Sequence, residues 1–227
     1  MASVCVAVSF LVMIVAVAVS SGFRHEIRNG LSEFCGDVTL TPLNQNYMGE
    51  AEPIPSEPAF LPAVKGLDCV KSVRGTILRA GIVKEGELIH GVLFKGVEDY
   101  RKADSLALSV SVPSQLASIL KIDVGDDILA YFVGEKVVAR KFRVESLYDG
   151  ILSSEDKLIV YTDLQTMRRI NGWKGSEVSA LEVSLKESSR SEEGIRQAAI
   201  DIGAEVFSHS SEDEPTVIVN SVVQSFP

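Results

Sequence analysis

The sequence predicts an α+β protein: one apolar N-terminal helix of membrane-spanning length, then a water-soluble domain of strands and short helices. Three observations carry this. Residues 1–23 contain no charged side chain, and eighteen of them are Ala, Val, Ile, Leu, Met, Phe or Cys. The whole net charge of −9 therefore lies beyond them. From Asp37 onward, alternating β-branched stretches are interleaved with short helical patterns and turn residues. At 46% hydrophobic and 23% charged, a 227-residue chain is neither disordered nor fibrous, and it is long enough to bury a full core. The acidic balance argues against nucleic acid as a partner, because phosphate binding needs a basic surface.

Roughly twenty helical residues at about 1.5 Å each span a hydrocarbon core of about 30 Å, so residues 1–23 read as a transmembrane helix. Two other readings stay open. Ala16-Val17-Ala18 resembles a signal-peptide cleavage site, although no Lys or Arg precedes the apolar run. A fully buried helix is the other. Arg24 and Arg28 would weakly place the C-terminal side of the span in the cytoplasm. Phe23, Ile27, Leu31 and Phe34 then recur on one helical stripe, so the helix continues as a stalk over 24–35, stopped by Gly36. Gly22, Phe23, Ile27 and Leu31 are the candidate coupling residues at this junction, where an unbroken helix transmits movement.

The remaining elements follow in order. Residues 37–43 form a strand, 44–62 a proline-punctuated loop, and 59–65 a short helix. Strands near 69–84 and 88–97 are joined by Glu85-Gly86-Glu87. A strand over 105–112 leads into a helix over 113–120 with its proline in the first turn. Strands 128–133 and 137–144 make a hairpin turning at Gly134-Glu135. Strand 157–162 runs into a helix capped by Asp163 and ended at Asn171-Gly172. Strand 178–185 precedes an S-x-x-E capping box at Ser189–Glu192. That box opens a helix with Ile195, Ala198, Ala199 and Ile202 inward, ended by Gly203 and followed by a strand at 205–208. No internal repeat is visible.

Motifs for catalysis are missing from the sequence: no G-x-x-x-x-G-K-[ST], no G-x-S-x-G and no H-E-x-x-H. His25, His90 and His209 stand in separate elements without ligand spacing. No catalytic residue, metal site or cofactor is expected. Cys35 and Cys69 would pair only in an oxidising compartment and with suitable geometry.

Taken in order, VMIVAVAVSSGFRHEIRNGL (12–31), DVTLTPL (37–43), ILRAGIVKEGELIHGVLFKGVE (77–98), VPSQLASILKIDVGDDILAYF (112–132), KFRVESLYDGILSSEDKLIVYTDLQTMRRINGW (141–173) and SEVSALEVSLKE (176–187) resemble lipoprotein-releasing (LolC/LolE-type) ABC transporter permeases of the MacB/FtsX-like superfamily. The resemblance implies a MacB-like periplasmic domain: a porter-like β-α-β part (36–103 and 176–210) with an inserted β-rich part (104–175). Residues 211–227 would return towards three further membrane helices. It also implies a non-catalytic subunit in the bacterial inner membrane. Its partners would be a cytoplasmic ATPase, a second permease subunit, and lipoprotein or other periplasmic cargo. Family members that hand cargo to a chaperone use a long loop in the inserted part; the matching hairpin end here is only Val133-Gly134-Glu135-Lys136. Val133, Gly134 and Glu135 are the candidate partner-contact residues. A periplasmic binding protein carrying a signal peptide, and an FtsX-like regulator of a cell-wall hydrolase, are the alternative functions.

Overall fold

The computed structural model describes residues 2–44, 52–100, 108–134, 136–149 and 158–225, with side chains of the first helix described at 8–19, 22, 30, 32, 34 and 35. Its first element is an uninterrupted helix, α1 (Ala2–Cys35). Nine large apolar side chains between Val8 and Val19 are 52–66% exposed, whereas Ser32 is buried. Among the described residues no helix is long and apolar enough to cross a membrane; the stretch 8–19 accounts for about 18 Å of helix.

After α1 come β1 (Val38–Pro42), the two-residue β2 (Ile54–Pro55), α2 (Leu61–Gly66), and the long hairpin of β3 (Val70–Glu85) and β4 (Leu88–Val97). Then follow β5 (Ser109–Pro113), α3 (Ser114–Leu120), and the hairpin of β6 (Asp127–Phe132) and β7 (Val138–Tyr148). The chain closes with β8 (Ile159–Asp163), α4 (Leu164–Asn171), β9 (Glu177–Val178), β10 (Ala180–Leu185), α5 (Glu192–His209), β11 (Val217–Ser221) and α6 (Val222–Ser225).

One sheet, ordered β11-β1-β10-β3-β4-β8-β5-β7-β6, carries the fold, and β6 pairs back onto β3. The six strands from β3 to β6 therefore close into a barrel, while β11, β1 and β10 extend from it as an open sheet. The sixteen-residue β3 belongs to both. Its first half pairs with β10 (Leu185↔Val70 to Ala180↔Thr76), and its second half pairs with β4 (Ile77↔Gly96 to Glu85↔Leu88). Inside the barrel Phe94, Phe132 and Phe142 pack together, with Phe94 and Phe132 centroids 4.8 Å apart. Gly81 makes room for them, since a Cβ there would lie 2.9 Å from the Phe94 ring.

β1 is antiparallel to both β10 and β11, so those two are parallel to each other, joined by α5. This is a split β-α-β unit. It differs from the sequence expectation, which ends the helix at Gly203 and places a strand at 205–208. Helix α5 runs on to His209, and the partner strand is β11. Gly203 continues the helix rather than ending it, and a Cβ there would meet only Val219 Cγ2 of β11 at an ordinary contact distance of 3.9 Å. The N-cap also lies two residues later than the capping-box pattern suggests. Ser189 ends a 3-10 turn, and the Ser191 hydroxyl accepts from the Gly194 amide at 3.0 Å. The inward set Ile195, Ala198, Ala199 and Ile202 is buried as expected.

Asp163 caps α4 by accepting from the Thr166 amide, and Gly172 ends it in the left-handed region. Pro113 is the residue before α3 rather than one in its first turn. The strand–helix pair β5–α3 recurs as β8–α4, with Ile159 standing 50 residues after Ser109. Each helix ends on a left-handed residue, Lys121 in one and Gly172 in the other. The repeat is one of backbone only: buried positions such as Ser109 and Ile159, or Leu116 and Thr166, differ in polarity and size. The expected strand starts at 105 and 157 lie outside the described residues.

The cap position gives a direct check. Ser191→Ala is expected to cost about 1 kcal/mol in a urea melt, as loss of an N-cap does, while Ser189→Ala costs little. The reverse order would place the helix start where the sequence pattern alone puts it.

Candidate functional site at the foot of the N-terminal helix

Helix α1 stops because Gly36 adopts φ +77°. Its amide donates to the Ser32 carbonyl at 2.9 Å, and the next amide, of Asp37, donates to Val183 in β10 at 2.9 Å. No other residue fits easily at 36, since a Cβ would stand 2.9 Å from the Val183 carbonyl oxygen. The buried Asp37 carboxylate accepts from the Leu185 amide at 2.8 Å and from Arg190 Nε at 3.2 Å. Thr39 Oγ1 donates back to the Cys35 carbonyl at 3.0 Å. From the other side, the Val222 amide of α6 donates to the Asp37 carbonyl at 3.1 Å.

Beneath this turn lies an ion pair shut away from water. Lys95 Nζ in β4 is 2.7 Å from Glu182 Oε1 in β10, and the side chains are 3% and 2% exposed. Thr76 Oγ1, where β3 passes from one part of the sheet to the other, donates to the same carboxylate oxygen at 3.2 Å. Lys95 also donates to the Phe34 carbonyl and sits 4.3 Å from the centroid of the Phe34 ring. A cation at the last turn of a helix meets carbonyls that have no partner within the helix, at the negative end of its dipole. Burial lowers the Lys95 pKa, and the Glu182 charge opposes that shift. Burial, then the Glu182 charge, pushes the Cys35 thiol up to about 11. One cation thus joins α1 to the open sheet through Glu182 and to the barrel through β4.

Sequence reading missed Lys95 and Glu182. Their signal is a charge at an inward position of a strand, within LFKGV and ALEVSL, where a buried charge demands a partner. Of the predicted coupling residues, Gly22 is exposed with nothing within 4 Å of a Cβ. The side chains of Phe23, Ile27 and Leu31 lie outside the described ones.

At the predicted contact hairpin, Val133 is 42% exposed. Its carbonyl accepts from Arg79 Nη2 at 3.5 Å, and Arg79 also reaches the Ile170 carbonyl and Asn171 Oδ1. Gly134 lies beside the same guanidinium, and Glu135 is outside the described residues. The register Ile82↔Tyr131 to Lys84↔Leu129 runs β6 back along β3. This hairpin end therefore sits near the crossing in β3, at the opposite end from the β3–β4 turn. Cys35 and Cys69 are not joined in a disulfide. Among the described residues no three His, Cys, Asp or Glu are grouped to hold a metal.

No protein-family model matches the chain, and neither does any curated protein. Among solved structures it is similar to the extracellular domain of the noncanonic ABC-type transporter YknZ from Gram-positive bacteria, at 15% identity, over 80% of this chain and 98% of that one, with a TM-score of 0.46. It is also similar to the periplasmic region of MacB from Actinobacillus actinomycetemcomitans, at 12% identity, over 83% and 89%, with a TM-score of 0.49. At these identities the likeness is one of chain architecture.

Lys95→Met should destabilise the protein by about 3–5 kcal/mol in urea unfolding, because it strands a buried carboxylate. Lys95→Met with Glu182→Leu should recover most of that loss; equal losses in both variants would contradict the pairing. In the wild type, iodoacetamide should modify Cys35 at a rate that keeps rising as pH climbs towards about 11. A plateau near pH 9 would show an ordinary, accessible thiol.

Proposed function

We propose that the chain is the membrane-anchored extracytoplasmic part of an ABC transporter permease subunit of the lipoprotein-releasing kind. In this reading residues 1–23 cross the inner membrane and the bulk stands in the periplasm. A separate cytoplasmic ATPase hydrolyses ATP, and this subunit, with a second permease subunit, turns that event into movement of lipoprotein or other cargo. The chain itself does no covalent chemistry.

The observation that carries the proposal is the joining of an all-round apolar helix to a locked foot. Side chains as apolar as those at 8–19, exposed on every face, call for lipid or a partner surface. The same helix continues to Cys35 without a break and ends on the Lys95–Glu182 pair. A tilt or translation of α1 is thus delivered to the open sheet and the barrel together. The start of β1 pairs with the end of β11 (Val38↔Ser221), and α6 packs against α1. The segments leading into and out of the domain therefore stand side by side, as a domain held between membrane helices requires.

The test uses the full-length permease with its ATPase in proteoliposomes. Gly22→Pro puts a helix breaker where no neighbour is disturbed. It should leave ATP hydrolysis in place and abolish cargo release. Undiminished release would contradict mechanical coupling through α1, and failure of the wild type to co-purify with any ATPase would contradict the permease reading itself.

A further inference from the structure

β11 is the outer strand of the open sheet. It pairs with β1 on one side, and among the described residues no strand pairs with the other. The ladder fixes which groups that other side presents. At its two ends the Leu43 amide donates to the Thr216 carbonyl, and the Val222 amide to the Asp37 carbonyl. Hydrogen-bonded pairs alternate in an antiparallel ladder. With the register Val38↔Ser221 to Pro42↔Val217, the bonded pairs between those ends are Thr39↔Asn220 and Thr41↔Ile218. Pro42, which has no N–H, falls at an unbonded pair. The N–H and C=O groups of Val217 and Val219 therefore point away from β1. A donor and an acceptor repeated at every second residue are complementary to the backbone of another extended chain. The edge also lacks the usual guards: residues 217–221 hold no charged residue and no proline, and the register runs without a bulge.

Helix α5 stands beside the same edge. A Cβ at Gly203 would lie 3.9 Å from Val219 Cγ2, so this flank of the helix turns to β11. Ile200 and Phe207, three residues before and four after, share that flank. They are 65% and 89% exposed. The other flank turns towards the middle of the sheet: the Asp201 charge acts on the Cys69 thiol next to β3, and α2 packs on both β3 and α5. Unpaired backbone groups and an apolar helix flank thus border one groove. Just before β11, the Glu214 carboxylate accepts from the Ala59 amide, while Glu212 and Asp213 stand exposed. That end of the groove attracts a cation.

We propose that the free edge of β11 and the outer flank of α5 form a strand-addition site for an extended segment of a separate polypeptide, aliphatic at alternate positions and basic at the end that meets Glu212 and Asp213. Two copies of this chain paired edge to edge about a two-fold axis would run antiparallel, with their helix feet at opposite ends of the shared sheet. Their α1 helices could not then enter one bilayer. Only this exclusion of a second copy rests on the membrane anchor of the proposed function.

The test is fluorescence anisotropy with the full chain in lipid nanodiscs. The labelled probes are Lys-Lys-Val-Thr-Val-Thr-Val-Thr and Thr-Val-Thr-Val-Thr-Val-Lys-Lys, because an added strand can run either way. Saturable binding of one of them is expected, abolished by N-methylation of the alternate amides along one edge of the peptide and kept when the other edge is methylated. Val219→Pro removes one outward N–H and spares the bonds to β1; it should weaken binding about tenfold. Phe207→Glu should weaken it to a similar degree, about tenfold, through lost apolar burial. No saturable binding of either peptide overturns the site, as does unchanged affinity in a folded Val219→Pro or in Phe207→Glu. Binding seen only after residues 45–51 are replaced by a Gly/Ser linker gives the edge to the chain itself, and concentration-dependent dimers abolished by Val219→Pro give it to a second copy; either overturns the proposal. Phe207→Glu alters an exposed side chain, so the test stands even if Val219→Pro fails to fold.

Discussion

A single buried cation, Lys95, decides how the N-terminal helix meets the rest of the molecule. Taking an ammonium and a carboxylate out of water costs several kcal/mol each, and their attraction offsets that only when further hydrogen bonds complete the geometry. Here those bonds come from the Phe34 carbonyl and from Thr76. Replacing either charge leaves the other stranded, so the pair sets where α1 must end more firmly than hydrophobic contact would. Asp37 adds a second constraint one turn of chain later, fixing β10 and Arg190 to the same spot. The helix foot is consequently held by polar groups that tolerate little displacement, while the apolar stretch at 8–19 has no counterpart in the described residues.

The length of β3 explains why this local arrangement reaches so far. Its sixteen residues serve two partners in succession, β10 and then β4. Thr76 stands at the change-over and bonds to Glu182. The barrel is closed by β6 on the second half of the same strand, and Arg79, three residues on, pins the β6–β7 hairpin end and the C-terminal end of α4. A shift at the helix foot therefore meets a continuous covalent strand rather than a linker. A cavity of about 490 Å³ adjoins this junction, with Thr76, Lys95 and Glu182 among the residues that line it.

Much of this was legible in the sequence because the local signals were short-range. Gly36, Gly86 and Gly172 mark ends and turns through left-handed backbone that few other residues adopt, Asp163 marks a helix start through its capping carboxylate, and the structure puts each at such a place. The alternation of residues 178–185 likewise reads as a strand, though Ser179 interrupts it to bond with β3. What failed was any inference in which tertiary contact outweighs propensity. Gly203 is a helix terminator by rule, yet α5 runs through it; residues 205–208 have strand character but finish the same helix, whose buried face includes Ile202 and Val206. Barrel closure could not be read at all, since pairing of β3 with β6 joins residues far apart in the chain and leaves no periodic trace. The ion pair was missed for the same reason: Lys95 and Glu182 become partners only once β4 and β10 flank β3.

Hydrogen exchange of the intact protein in lipid nanodiscs, followed by mass spectrometry, tests the helix–domain lock most directly. If the foot is one cooperative unit with the sheet, amides at 30–38 exchange as slowly as those of β1 and β10, and lose protection together with them. Rapid exchange at 30–38 while β10 remains protected would show a hinged helix and contradict a rigid transmission from α1 to the domain.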